Sequence, residues 1–438
     1  MVSIIDLCRP ASTNSMGSGE SYFLEFKAMK FSLFLPLRRI RHLVGMAPYS
    51  VAKANFIFGH KRETPRAYLD VTSLHYADHG GGIQRVQKAL LANFAKIENS
   101  DYDFIPVFFC GQEKRFKRFV EATKRSSAIS NAIREKDIDF CTDDVYLNLD
   151  LNYDFYIENL TLLQELKRRG IHRFTIIYDL LPISMPAMFP NHVPQLHSTW
   201  VRIAAEYTTP ICISRHVKEE LHKWTEDTLE KDEIEVIELG GGIASYDPQD
   251  ATEFYSNSNL SLHFLVVSTI EPRKCHDQVL RAFEILWNEG EELSLTLVGQ
   301  QGWDTEEVVE KIVNHPLNGK NLFWFPKISD SDLGMLYQNS SALINASLGE
   351  GFGLPLREAI MHKLPLILRD IDVFREVAGD GAWFFVADSP KALANSIRDW
   401  MKVYKSGEIE VVLPAKFPAW EDTCSQINKI IQERTVNS

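Results

Sequence analysis

Ser347-Leu348-Gly349-Glu350-Gly351-Phe352-Gly353-Leu354-Pro355-Leu356-Arg357-Glu358-Ala359 is the stretch from which the rest of the chain can be read. An apolar run, Ser341-Ala342-Leu343-Ile344-Asn345-Ala346, leads into it and predicts a buried strand. Two glycines then flank Phe352 and let the backbone approach a ligand closely. Pro355 follows in what should be the first turn of a helix, where a missing N–H costs little. The order is strand, glycine turn, helix, with main-chain N–H groups gathered at a helix N-terminus. Such a place suits a negatively charged or hydroxyl-rich ligand. Glu350 in the turn and Glu358 two turns on add carboxylates that accept hydrogen bonds from hydroxyls. A strand–glycine–helix link occurs in any α/β protein, and Glu358 alone reads as a solvated helix residue. Glu350 is harder to dismiss, because a charge between a buried strand and a tight turn has no packing role.

The chain has 438 residues, enough for two domains with full cores. Hydrophobic residues make up 45% and charged residues 24%, the balance of an ordinary globular protein. A net charge of −12 argues against a general nucleic-acid binder. The six cysteines are scattered with no Cys-x-x-Cys, so neither a zinc site nor a disulfide framework is indicated, and a reducing cytoplasm fits. No apolar run reaches the length of a membrane span.

Residues 1–63 read as an N-terminal extension. Its first part is rich in Ser, Gly and Asn and is expected to be poorly ordered. From Met29 to Leu43 an apolar patch precedes Arg38, Arg39 and Arg41. That pattern fits peripheral contact with an anionic membrane surface, or a helix packed on the first domain with its arginines solvated.

Residues 64–245 read as a first α/β domain. Ala67 to Thr72 is a strand. His79-Gly80-Gly81-Gly82-Ile83-Gln84-Arg85 then opens a helix with apolar residues at helical spacing. Gly81 and Gly82 can approach a phosphate or sugar closely. Arg85 is a candidate beside them, its plain reading a surface helix residue. Asp103 to Phe109 is a strand, and Lys114, Arg115, Lys117, Arg118, Lys124 and Arg125 predict a basic helix. Such a run is either a solvated face or a contact for lipid headgroups or an anionic acceptor. Phe174 to Asp179 is a buried strand ending before Pro182. Ligands of open parallel sheets bind beyond the carboxyl ends of strands, which makes Asp179 a candidate. Ser214 caps the helix after the strand Thr209 to Ile213, and Arg215 follows it. Residues 246–260 read as an interdomain linker.

Residues 261–408 read as the second domain. Strand His263 to Ser268 runs into Glu271-Pro272-Arg273-Lys274-Cys275-His276. Arg273 and Lys274 sit where a helix begins, against the usual preference for acids there, so an anionic diphosphate is the natural partner. Ser329 and Asp332 form a helix cap, which accounts for the Asp330-x-Asp332 pair without a metal. Residues 409–438 contain a final amphipathic helix from Trp420.

Glu350-Gly351-Phe352-Gly353-Leu354-Pro355-Leu356-Arg357-Glu358-Ala359 resembles the signature of retaining glycosyltransferase family four, the glycosyl transferases group 1. Spacing, glycines, Phe and Pro match together. Gly82-Ile83-Gln84-Arg85 and Glu271-Pro272-Arg273-Lys274 resemble segments of the subgroup that builds bacterial surface polysaccharides with mannose. Cys275 departs from the Asn of that subgroup, and Tyr178-Asp179 from a His-Asp common among related transferases. The resemblance implies a GT-B fold: two Rossmann-like parallel-sheet domains facing a cleft, with a C-terminal helix crossing back to the first. It implies Lys274 and Arg273 on the leaving diphosphate, Glu350 and the N–H groups of Phe352 and Gly353 on the donor sugar, and Glu358 on the ribose. It places Lys327 and Ile328 near the base, Gly81 and Gly82 facing the donor, and Asp179, Arg85 and Arg215 in the cleft. The expected partners are a nucleotide-sugar, best GDP-mannose, and a glycan or lipid-linked glycan. No cofactor or metal is expected. A UDP-sugar transferase, a nucleotide-sugar epimerase and a non-catalytic assembly protein are the alternatives.

Overall fold

Beside one two-stranded pair, apolar runs in strands buried on both faces build two large sheets in this computed structural model. It describes residues 57–58, 63–97, 100–119, 138–225, 228–242, 262–409 and 417–436. The readings of Met29 to Leu43, of Lys124 and Arg125 and of the linker 246–260 therefore fall outside the described residues. Ile57–Phe58 pairs in parallel with Asp139–Phe140. All described residues belong to one contact-continuous unit, Asn55–Ser438.

The first sheet has seven strands, in spatial order Arg115–Arg118, Asp103–Cys110, Arg66–Asp70, Val145–Asn148, His172–Ile177, Thr209–Cys212 and Glu235–Val236. All neighbours pair in parallel except the first two. The basic helix expected over 114–125 is, in its described part, this antiparallel edge strand. Phe116 is buried while Arg115 and Lys117 on either side are not, the two-residue period of a strand. Charge density on one face had masked that alternation.

The second sheet is parallel throughout, in the order Leu322–Phe325, Leu293–Val298, Leu262–Val267, Ala342–Asn345, Leu366–Arg369 and Trp383–Phe385. In its central strand Phe264 and Val266 join one apolar cluster, with Phe283, Trp400 and Met401 of the covering helices. Leu265 and Val267 join the other, which runs without a break into the core of the first domain. The last helix, Trp420–Val436, begins after the second domain and packs on the first. Cys424 Sγ lies 3.6 Å from Leu90 O, and Tyr102 Oη donates to Thr435 Oγ1 at 3.1 Å.

Each sheet reverses its strand order once: between Arg66–Asp70 and Val145–Asn148 in the first, and between Leu262–Val267 and Ala342–Asn345 in the second. Crevices beyond the carboxyl ends of such strand pairs are where open α/β sheets hold ligands. In the first sheet two buried acids stand there, Asp70 and Asp150. Burial, and then the charge of Asp150, push the Asp70 carboxyl up to about 7. A raised acid keeps its proton in the native state longer than in the unfolded one. Its contribution is therefore favourable at low pH and is lost as pH rises from about 4 through about 7, in total on the order of 4 kcal/mol. Asp70→Asn should flatten this slope: between pH 5 and 8 the wild-type melting temperature should fall relative to the variant's. Parallel melting curves would exclude a titrating Asp70.

Candidate functional site

The second sheet's switch point gathers the residues singled out by the sequence. After Ala342–Asn345 the chain turns through Ser347 to Gly353 and enters the helix Leu354–Met361. After Leu262–Val267 it passes through the short turn Pro272–Lys274 into the helix His276–Asn288. Leu348 N–H donates to Arg273 O at 2.8 Å, which clips the two loops together. Cys275 between them is left-handed (φ +57°, ψ +36°). Asn tolerates that conformation better than most residues, which accounts for the Asn of the resembled segment.

Glu350 is 8% exposed and lies among donors. Lys274 Nζ pairs with its Oε1, and Arg273 Nη1 with its Oε2 at 3.1 Å. Ser347 Oγ lies 2.9 Å from Oε1. Burial pushes the carboxyl up, but Lys274 and Arg273 together outweigh it and hold it down at about 2. Lys274 is held below the usual lysine value by burial and by Arg273 beside it. Arg273 also meets Glu271 at 3.0 Å, so two cations and two carboxylates balance as built. Donor capacity remains. Arg273 Nε is buried with no hydrogen-bond partner among the described residues. Lys274 has three N–H bonds, and one of them meets Glu350.

Glu358 is not a solvated helix residue: it is 4% exposed. Arg85 Nη2 pairs with its Oε1, and Tyr337 Oη donates to its Oε2 at 2.8 Å. Burial raises its pKa, against the pull of Arg85 and Tyr337. Arg85 belongs to the helix Gly82–Phe94 of the first domain, so this pair crosses the cleft.

The glycines of the turn have a different reason from the one expected. A Cβ on Gly351 would lie 1.9 Å from Tyr178 O and 3.1 Å from Asp179 Cβ, so close approach to the first domain fixes this residue. Ser214 reinforces that contact. Its Oγ caps the helix Arg215–Thr225 by accepting from Val217 N–H at 3.1 Å and donates to Gly351 O at 2.8 Å. Gly353 has φ +100° and forms the N-cap of the next helix. Phe352 is buried, with the Arg357 guanidinium 5.4 Å from its ring centre. The N–H groups of Phe352 and Gly353 take no main-chain partner among the described residues.

Asp179 is brought to the cluster. Gly351 packs on it, its charge acts on Arg273, and its Oδ1 accepts from Leu181 N–H at 3.1 Å. Gly81 and Gly82 are exposed at the start of Arg85's helix. Lys327 is exposed and Ile328 half-buried just beyond the strand Leu322–Phe325. Arg215 is not brought in: its side chain is 75% exposed and lies 3.6 Å from Glu238. Its main-chain N–H instead donates to Glu376 at 2.7 Å, a tie between domains. Glu271, Tyr337 and Ser347 were missed. Ser347 carries a faint signal, three residues before Glu350 on the same loop, whereas nothing in the order of residues marks Tyr337. The cavity of about 570 Å³ lined by Lys167, Arg173 and Tyr207 contains none of these residues.

Among the described residues no helix is long and apolar enough to cross a membrane. Residues 253–408 match the family described as Glycosyl transferases group 1. The chain is 32% identical over 374 residues to the serotype-specific mannosyltransferase WbdA of Escherichia coli, covering 83% of this chain and 45% of that protein. It is 24% identical over 228 residues to the O-antigen chain mannosyltransferase RfbU of Salmonella typhimurium, covering 51% and 59%. The chain thus spans about half the length of these curated relatives. Among solved structures, HepE of Anabaena in complex with UDP and glucose superposes with a TM-score of 0.56 at 12% identity, covering 85% of this chain and 98% of that one. Sucrose-phosphate synthase of Thermosynechococcus elongatus gives 0.56 at 14%, covering 85% and 100%. These likenesses show the fold, GT-B, as the sequence led us to expect.

Proposed function

We infer that this chain, which carries a glycosyl transferases group 1 domain on a GT-B fold, is a retaining glycosyltransferase that moves mannose from GDP-mannose. The acceptor is a glycan or lipid-linked glycan in surface-polysaccharide synthesis, a reading supported by the relatives WbdA and RfbU. The observation that carries the reading is Glu350 held ionised between Lys274 and Arg273 at the switch point of the second sheet. Departure of a nucleoside diphosphate builds negative charge on phosphate oxygens. The unused N–H bonds of Lys274 and Arg273 would meet that charge, and fixed donors aimed at developing charge lower a barrier most. Glu350 would accept hydroxyls of the donor sugar and favour positive charge at its anomeric carbon. A carboxylate held at about 2 by two cations is a weak nucleophile, which argues against a covalent glycosyl-enzyme. Glu358 would accept the ribose hydroxyls, Asp179, Gly81 and Gly82 would face the sugar, and Lys327 and Ile328 would flank the base. No metal enters this scheme. A lipid-linked acceptor would bring the chain to the inner face of the membrane as a peripheral protein.

The first test is the donor. In a thermal-shift panel GDP-mannose should raise the melting temperature more than UDP-glucose, and label from GDP-[¹⁴C]mannose should reach an oligomannoside. Stabilisation by UDP-sugars without GDP-sugars would overturn the donor assignment, and consumption of donor without acceptor would favour an epimerase.

A further inference from the structure

At the switch point of the first sheet the donor reading uses only Gly81, Gly82 and Arg85, at the far end of the loop. What stands beyond its strands is the five-residue helix Thr72–Tyr76. Its position is over-determined. Asp70 Oδ1 accepts from the N–H of Thr72 at 3.0 Å and from its hydroxyl at 2.5 Å. Thr72 Oγ1 in turn accepts from Phe109 N–H at 2.9 Å. Tyr146 Oη donates to Asp70 Oδ2 at 2.6 Å, and Asp150 takes the N–H of Ser73. Burying two carboxylates is costly even when they are hydrogen-bonded. Here both are used to fix one short surface segment, which points to something that segment presents.

It presents two rings. Tyr76 is 61% exposed, the most exposed large aromatic among the described residues. Its freedom is limited: Oη donates to Phe109 O at 3.2 Å, and its ring stands edge-on to His75 at 4.9 Å. His75 is stacked on the buried Phe108 with ring centres 3.5 Å apart. The loop that follows is fastened by Asp78, which accepts from Gly80 N–H at 3.1 Å and pairs with Lys88, and above all by Gln84. Its Nε2 donates to Ala77 O at 2.5 Å, and its Oε1 accepts from the N–H groups of His79 and Gly81 at 2.8 and 3.1 Å. The next residue, Arg85, pairs with Glu358. One fastened run of chain therefore carries the exposed rings at one end and reaches the candidate ribose-binding carboxylate at the other.

We propose that His75 and Tyr76 form a stacking platform for a neutral pyranose ring of the acceptor glycan. The proposal rests on the glycosyltransferase reading above. A pyranose offers one face of C–H bonds, which an immobilised aromatic ring covers well, and a rim of hydroxyls, for which the exposed His79 lies close by in the chain, as does Asp78, whose carboxylate is already paired with Lys88 and accepts from Gly80 N–H. A ring already held in place loses little freedom on binding.

The test uses the full chain, GDP-[¹⁴C]mannose and a short α-linked oligomannoside. Tyr76→Ala should raise the acceptor KM about tenfold, the equivalent of about 1.4 kcal/mol of lost stacking, with kcat changed less than about threefold. Calorimetric GDP affinity should stay at the wild-type value. Tyr76→Phe, which loses only the bond to Phe109 O, should retain near-normal KM. Oligomannoside binding measured by calorimetry without donor should weaken in Tyr76→Ala in parallel. An unchanged acceptor KM and oligomannoside affinity in Tyr76→Ala would overturn the proposal, as would an equal loss of GDP affinity. If the wild type transfers no sugar yet binds the oligomannoside through Tyr76, the platform stands and the transferase reading falls. If GDP binds and the oligomannoside does not, the platform falls alone.

Discussion

Lys274→Ala should lower kcat/KM by about a thousandfold and should also lower the melting temperature. The kinetic loss follows from position. Lys274 is a largely enclosed cation at the mouth of the strand Leu262–Val267, with N–H bonds left over after its pairing with Glu350. Removing one preorganised donor from a developing anion costs about two to three orders of magnitude. Removing a full charge should fall at the upper end or beyond. The stability loss follows from the pair. Alanine leaves Glu350 buried with Arg273 as its one remaining cation. Breaking a buried pair by truncating one partner costs about 3–5 kcal/mol when nothing replaces it. Arg273 and Ser347 remain, so we expect about 1–2 kcal/mol. The sequence marks Lys274 as a site residue, and the pairing with Glu350 gives it structural weight as well. Lys274→Arg, which keeps the charge but changes its geometry, should recover most of the stability and little of the activity. Turnover within tenfold of wild type in Lys274→Ala would remove this residue from the chemistry, whatever the melting curve.

Why the pairing escaped the sequence is plain from the separations. Lys274 and Glu350 stand 76 positions apart, and Arg85 and Glu358 stand 273 apart. The order of residues did show that Lys274 and Glu350 lie beyond a strand's carboxyl end and that Arg85 and Glu358 lie on the helices that follow such ends. Apolar runs, glycine turns and caps are local, and from them most strands, the cap at Ser214 and the final helix from Trp420 were legible; the two parallel-sheet domains and the return of that helix to the first domain were implied by the resemblance. Which loop end faces which depends on strand order, and strand order is set by packing across the whole sheet. The same limit explains Gly351. A glycine beside a candidate site suggests a ligand, but here the atom it admits is the carbonyl oxygen of Tyr178 in the other domain. It also explains Arg215, whose neighbours in the chain resemble a site segment while its side chain is turned to Glu238. The edge strand Arg115–Arg118 failed for a local reason: four residues are too few for a two-residue period to stand out against a run of cations.

Glu350→Gln separates orientation of the sugar from support of the fold, because the two roles respond differently to pH. Glutamine keeps the size and one carbonyl acceptor. It loses the charge and turns an NH₂ group toward Lys274 or Arg273, donor against donor. If Glu350 steadies positive charge at the anomeric carbon, kcat should fall by about a hundredfold or more while GDP still binds. Glu358→Gln, by contrast, should weaken GDP itself, since it disturbs the carboxylate shared by Arg85 and Tyr337. The fold is also affected. Glu350 has a native pKa of about 2 against an ordinary value of 4.5, so its ionised form is favoured in the folded protein. That contribution is fully present above about pH 5 and is lost as pH falls toward 2. At neutral pH it is on the order of 3 kcal/mol. The melting temperature of Glu350→Gln should therefore lie well below wild type at pH 7, and the gap should narrow between pH 5 and pH 3. Activity should show no such recovery, because at every pH where the protein is folded the wild-type carboxylate is already charged. A kcat deficit that shrank in step with the stability gap would mean that Glu350 only holds the loop in place. A deficit that persisted while the stability gap narrowed between pH 5 and pH 3, with GDP affinity intact, would leave the sugar as what this carboxylate acts on.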